Sequence, residues 1–428
     1  ESDTIKRVNN RGEDILRRNG FRPPMGDFKH ELDKSRFADI TSRNFGGYSV
    51  LDSFHGRVFT YDKNGNMLYT FGGLGQIEGT FITPVAIDGL DNKLLVLDKG
   101  SNTIKIFRKT TYASNIHQAI LLYKNGLYDK SANMWQKVLG KNPNFELAYS
   151  GLGRNLLRKK EYEKALKMYK NGNDRTGYSK AYKNFRRKVL NNNFSIILYI
   201  ATFLLLFILL ISRYRKKVKS GQINSVTATM GLKNILKNKG LFNKILSGLK
   251  YSMYLIFHPF DGYWDLKHEN KGNIGSASLL LSLLLMVFII IRQYTAFVFN
   301  TRNLANLNIY AEIASVAIPF VLWCIVNWSL TTLMDGKGTF KDIYIATAYS
   351  FVPFIIINIP VTILSHFLVK EEGTFYYFLI IFSMIWSLSL LFFGTMTIHD
   401  FSLGKMLTTT ILTVVGIGFL LLFGMILF

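Results

Sequence analysis

The hydrophobic rhythm of the chain changes twice along its length. Over residues 1–108 apolar and polar positions alternate, the period of strands with one buried face. Over 112–190 apolar positions recur every three to four residues, the period of amphipathic helices. From Phe194 onward come uninterrupted apolar runs long enough to cross a bilayer. The clearest strand unit is Tyr48-Ser49-Val50-Leu51-Asp52, then Gly56-Arg57-Val58-Phe59-Thr60-Tyr61, a turn at Asp62-Lys63-Asn64-Gly65, and a third strand over 67–71. Asn-Gly between alternating runs predicts a tight hairpin, because both residues accept positive φ. The unit returns 46 residues later: Val50-Leu51-Asp52 as Val96-Leu97-Asp98, and 58–61 as 104–107.

The helical stretch repeats as well. Tyr128, Ser131 and Trp135 are matched 34 residues on by Tyr162, Ala165 and Tyr169, with Gly153 as a second small residue. Small residues opposite aromatic ones predict paired helices in close contact, with Trp135 and Tyr169 in their core. Residues 178–190 form a basic helix that leads into the first apolar run, 194–211. Five more spans are predicted at about 275–291, 311–333, 343–369, 375–398 and 406–428. Between the third and fourth lies a polar hairpin, 335–342, whose Gly336 and Gly338 suit a tight turn. Pro319, Pro353 and Pro360 fall inside spans, and the fourth span, holding two of them, is the one expected to bend.

Charge sets the orientation. Residues 213–274 carry twelve Lys/Arg against three Asp/Glu, whereas the later connections are poor in charge. Excess Lys/Arg marks the cytoplasmic side. Residues 1–193 are therefore expected outside the cell, and 212–274 and 335–342 inside. Within the basic loop, residues 232–255 place apolar side chains on one face and Lys233, Lys237, Lys244 and Lys250 on the other. That pattern predicts helices lying on an anionic inner leaflet. The whole chain has a formal charge of +24, which would also suit nucleic acid. Its concentration beside the spans assigns it to lipid headgroups instead.

The sequence offers little chemistry. No nucleophile elbow, phosphate loop or paired-carboxylate motif is present, and none of the seven histidines stands in metal-ligand spacing. No catalytic residue, cofactor or metal is expected. Cys324 is the one cysteine and cannot form an internal disulfide. Four polar residues stand within or at the ends of spans: Arg292, Glu312, Asn327 and Asn358. Arg292 is expected to reach the outer interface, Glu312 to pair with it or with Arg302, and the two asparagines to bridge helices.

Several segments resemble known families. Asn327-Trp328, Asp335-Gly336-Lys337-Gly338-Thr339-Phe340, Ala348-Tyr349 with Pro353, and His258-Pro259-Phe260-Asp261-Gly262-Tyr263-Trp264-Asp265-Leu266-Lys267 resemble bacterial proteins with a Yip (Ypt-interacting protein) domain. The resemblance covers about 249–428 and implies a multi-helix bundle of the bacterial cell membrane without known chemistry. Eukaryotic relatives of that domain bind small GTPases. Phe71-Gly72-Gly73-Leu74-Gly75 and Gly79-Thr80-Phe81 with Pro84 resemble NHL repeats, each a four-stranded propeller blade. A repeat period in the forties is what a propeller requires. Residues 5–16 look like the outer half of a preceding blade, so the chain is expected to begin in mid-blade, after further blades and a signal peptide. A small β domain complete in itself is the alternative. The 34-residue repeat resembles tetratricopeptide (TPR) repeats.

The expected fold is thus multidomain. It comprises a partial β-propeller of NHL-like blades (1–108), α-helical TPR-like hairpins (112–190), a linker span (194–211), a basic cytoplasmic amphipathic segment (212–274) and a five-span Yip-like all-α membrane bundle (275–428). The expected function is a non-enzymatic membrane scaffold. Its outer module would bind a ligand or partner, and Asp335, Lys337, Lys341 and Asp342 would dock a membrane-protein partner inside. The resemblance points to sugar ABC transport systems as a source of partners. A channel or transporter formed by the bundle, and an extracytoplasmic propeller enzyme, are the competing readings.

Overall fold

The computed structural model describes residues 5–16, 35–219, 240–302 and 307–427, and the chain divides into two compact units, Glu1–Phe185 and Arg186–Phe428. The first unit opens with two antiparallel meanders. Strands β1 (Phe37–Ser42), β2 (Tyr48–Asp52), β3 (Arg57–Tyr61) and β4 (Met67–Gly72) form a sheet in sequence order, and β5 (Pro84–Leu90), β6 (Lys93–Asp98) and β7 (Thr103–Arg108) form a second. The β3–β4 turn is closed by Asp62, whose carboxylate accepts the backbone N–H groups of Asn64 and Asn66 at 2.8 and 2.9 Å, while Gly65 takes φ +84°.

The 46-residue repeat is visible in the hydrogen bonds. Asp52, ending β2, accepts the Arg36 N–H at 3.0 Å, and Asp98, ending β6, accepts the Ile82 N–H at 3.0 Å. Each carboxylate thereby ties the segment entering its sheet to the end of the second strand. Burial alone would raise the Asp98 carboxyl, but donors from Ile82, Thr83, Ser101 and Lys105 outweigh it and hold the group well below the usual carboxylate range.

Between the sheets, Leu51 and Val58 pack on Phe81, Ile87, Leu94 and Val96. On the far side of the first sheet, Ile5 packs with Val50, Phe59 and Tyr61, and the Val8–Asp14 bridge makes 5–16 a small hairpin. Among the described residues the second sheet has no such cover. Leu97 and Ile104 stand 46 residues after Leu51 and Val58, yet they are 43% and 60% exposed where their counterparts are 0%. Among the described residues the sheets do not close into a ring.

Helices α1 (Thr111–Lys124), α2 (Tyr128–Lys141), α3 (Glu146–Arg158) and α4 (Tyr162–Asn171) follow as two helical hairpins, and α5 (Arg175–Asn192) crosses the boundary between the units. Small residues set their spacing: the Ser131 hydroxyl donates to the Ala119 carbonyl at 2.7 Å, and a side chain at Gly151 or Gly153 would run into Trp135 or Tyr169. Trp135 and Tyr169 are buried. Sheet and helices share a core through Phe45, Leu68, Ile116 and Trp135.

The second unit is helical. Helix α6 (Phe194–Lys219) is one continuous rod that carries its basic tail with it. It is followed by α7 (Gly240–Leu255), α8 (Pro259–His268), α9 (Ile274–Tyr294), α10 (Ile309–Leu333), α11 (Phe340–Ser350), α12 (Val352–Ser365), α13 (Gly373–His399) and α14 (Leu403–Leu427). Six spans among the described residues are long and apolar enough to cross a membrane, α11 and α12 together making the fourth.

That fourth span departs from the sequence expectation of one element over 343–369. It starts three residues earlier, because Thr339 caps α11, and it breaks at Phe351, because Pro353 has no N–H to continue the ladder. The Phe354 N–H donates to the Ser387 hydroxyl of α13 at 3.2 Å. A neighbouring helix thus takes up backbone bonding that the break leaves open.

Candidate functional site

The motifs singled out in the sequence converge on one end of the helical bundle. Helix α10 ends at Leu333 with Met334 as its cap, Asp335 takes the left-handed conformation (φ +55°), and the Gly336 N–H returns to the Thr331 carbonyl at 2.8 Å. This is a Schellman closure, which satisfies a carbonyl left free by the helix end. Thr339 then opens α11 with a capping box. Its hydroxyl accepts the Asp342 N–H, and the Asp342 carboxylate accepts the Thr339 N–H at 3.0 Å. The polar hairpin is therefore shorter than the expected 335–342.

The hairpin rests on the end of α13, about sixty residues further along. A Cβ at Gly336 would lie 2.5 Å from His399 Nδ1, and one at Gly338 would lie 2.5 Å from Ile398 Cγ2 and 2.8 Å from His399 Cε1. Only glycine fits either position without displacement. The Gly338 N–H donates to His399 Nδ1 at 3.3 Å, and Phe401 stacks on the imidazole from the other side. Above this contact Lys337 pairs with Asp400 at 2.6 Å, both well exposed. From α8, Lys267 donates to the Ile398 carbonyl at 2.6 Å.

Two buried tyrosines extend the platform inward. Tyr263 of α8 bonds the Ser350 hydroxyl at 2.7 Å and lies so close to Gly394 that a Cβ there would be 2.6 Å from its ring. Tyr349 of α11 bonds the Ser276 hydroxyl of α9 at 2.8 Å, and Gly248 of α7 sits against both groups. Beside them, Asp265 accepts from Tyr251 at 2.6 Å and pairs with Lys271 at 2.7 Å; the Lys271 ammonium and the Tyr251 hydroxyl hold its carboxyl below the usual range.

The four hairpin charges differ in their surroundings. Asp342 is turned into the cap and Lys337 is paired, which leaves Asp335 and Lys341 exposed and without a partner among the described residues. Of the lysines assigned to the lipid surface, Lys244 and Lys250 are exposed on α7, next to exposed Leu246 and Met253. Lys233 and Lys237 lie outside the described residues.

Within the second unit, the span residues fall elsewhere. Glu312 pairs with Arg292 at 3.1 Å and with Arg302 at 3.5 Å, so both arginines share one carboxylate. Asn327 is fully buried and donates to Thr413 of α14 at 3.4 Å; Asn358 donates to Ser383 of α13 at 2.8 Å.

His399, Asp400, Tyr263 and Gly394 escaped the sequence reading as a group. The only local signal was a polar His-Asp pair closing an apolar span. Nothing in one sequence says which distant hairpin such a pair supports.

Residues 253–426 match the Yip1 domain family. The chain carries a Yip1 domain. No curated protein matches the chain. The Yip1 domain takes in α8, the glycine hairpin and the end of α13, so the platform belongs to it entirely apart from α7, of which only the last residues fall inside the match. With six membrane-capable helices the protein is a multi-pass membrane protein. Among the described residues no three His, Cys, Asp or Glu side chains are placed to hold a metal ion.

Proposed function

We propose that this Yip1-domain protein is a non-enzymatic membrane interaction protein that docks a partner at the hairpin platform. One observation carries the reading. Segments 60 to 140 residues apart in the chain, Tyr263 to Lys267, Gly336 to Gly338 and Gly394 to Asp400, are packed to glycine-limited contact there, beneath an exposed rim of Asp335, Lys337, Lys341 and Asp400. Rigid support beneath a few exposed charges is what pre-organised recognition uses. In this reading the platform faces the cytoplasm, and α7 lies along the anionic leaflet through Lys244 and Lys250. The two meanders serve as NHL-like propeller blades and the two helical hairpins as TPR-like repeats, together a binding module on the opposite side. The 46- and 34-residue recurrences support those assignments.

The test is membrane cross-linking in cells with the double variant Lys337→Glu/Lys341→Glu, which should lose a cross-linked membrane partner severalfold while purifying as a monodisperse, folded protein. Unchanged cross-linking would refute docking at this rim. Solute flux through liposomes containing the purified protein alone would instead favour the channel reading.

A further inference from the structure

The first unit holds a cavity of about 470 Å³ where its β-sheet meets its helical hairpins, within the usual size of small-molecule sites. Its floor is apolar: Phe45 from the β1–β2 turn, Ile120 from α1, Trp135 from α2 and Leu147 from α3. Phe45 and Trp135 are nearly inaccessible, so the floor is packed rather than collapsed. Tyr123 and Tyr128 add aromatic walls.

The rim is cationic. Lys63 comes from the β3–β4 turn, Lys124 from the end of α1 and Arg154 from α3. None of the three has a carboxylate partner among the described residues. Arg154 lies 5.0 Å from the Tyr123 ring centre and donates only its Nε, to the Ser150 carbonyl at 3.3 Å. The single acidic residue lining the cavity is Asp62. Its carboxylate already accepts from the Asn64 and Asn66 N–H groups and from Asn66 Nδ2 at 2.8 Å. Further positive charge lies behind the wall. Phe45 stacks on His117 with ring centres 3.9 Å apart, and burial, with Lys109 and Arg43 adding to it, opposes protonation of that imidazole. Arg43 is buried, donates to the Lys93 carbonyl, and has an Nε without any acceptor.

We infer that this cavity binds an organic anion with a flat apolar body. The apolar body would lie against Tyr123 and Tyr128, above the closed floor of Phe45 and Trp135, and the anionic group would lie toward Arg154 and Lys124. Aromatic walls favour a flat ring over a flexible chain because ring faces stack with little entropy to lose. Three cations against one carboxylate around the opening favour a carboxylate or sulfonate over a neutral ring. This site is independent of the platform on the Yip1 domain.

Calorimetry on the full chain in lipid nanodiscs, with empty nanodiscs subtracted, decides the matter with two probes, naphthalenesulfonate and neutral naphthol. The sulfonate should bind about tenfold more tightly than naphthol. Arg154→Gln and Lys124→Gln should each weaken sulfonate binding by about tenfold and leave naphthol binding unchanged. Lys124 is exposed, so its variant keeps the fold and stands in should Arg154→Gln misfold. Equal affinity for the two probes, sulfonate binding indifferent to both substitutions, or no sulfonate binding at about millimolar concentration would each overturn the inference.

Discussion

Two buried imidazoles show how much a single residue is asked to do here. His117 accepts or donates one bond to the Tyr69 hydroxyl at 2.8 Å and is otherwise enclosed by Phe45 and the α1 core. Burial, helped by Lys109 and Arg43, pushes its pKa down to about 3. The folded state therefore keeps it neutral, whereas the unfolded chain protonates it below about 6.5. The stability this provides is complete above that value and is lost as the pH falls from about 6.5 toward about 3. Thermal unfolding of the first unit should shift downward between about pH 7 and about pH 5, and His117→Phe should flatten that slope. An identical slope in the variant would mean that another group titrates. His399, the second, serves as a seat for a hairpin. Its role was illegible in the sequence because its partners, Gly336 and Gly338, are remote and read there only as turn glycines.

At the scale of elements, the glycine hairpin and α13 are fitted to one another. Gly338→Ala should destabilise the detergent-solubilised protein by about 1–3 kcal/mol, the usual cost of overpacking. Adding His399→Ala should recover part of the loss, since the two sites then couple through shared space. Thermal unfolding of the four proteins tests this, and strictly additive losses would show that the contact is not limiting. Elements were the scale at which the sequence spoke most clearly. The Asn64-Gly65 turn, the Asp52 and Asp98 repeat and the apolar spans all depend on neighbours close in the chain. The bend of the fourth span was legible from Pro353 and Pro360, and the helix does break beside Pro353, at Phe351. What failed to show was its partner, the Ser387 hydroxyl on another helix that accepts the Phe354 N–H. Likewise Asn327 and Asn358 could be read as bridges, but Thr413 and Ser383 could not be named, since helix pairing is set by packing. For the two meanders, local alternation defined each sheet but not what packs against it, and their reading as blades rests on the 46-residue recurrence.

For the whole molecule, the placement of its charge matters more than its sum. The proposed orientation, with that loop and the platform in the cytoplasm and the first unit on the other side, rests on the twelve basic residues in 213–274. Cysteine placed by Asn64→Cys should react with an impermeant thiol reagent on intact cells, and cysteine placed by Lys341→Cys should react only after lysis. Native Cys324 is buried and stays silent. The reverse pattern would invert the assignment.

The split fourth span also bears on how the protein is made. Emerging alone from the insertion machinery, α12 would meet lipid with an amide at Phe354 that its own helix does not satisfy, and with Asn358 still seeking the hydroxyl of Ser383. Both are costly in hydrocarbon. Holding the break hydrated until α13 follows would avoid that cost, so the two spans are expected to enter as a pair. Order of synthesis and order of insertion would then part company: the fourth span, translated before the fifth, would settle with it.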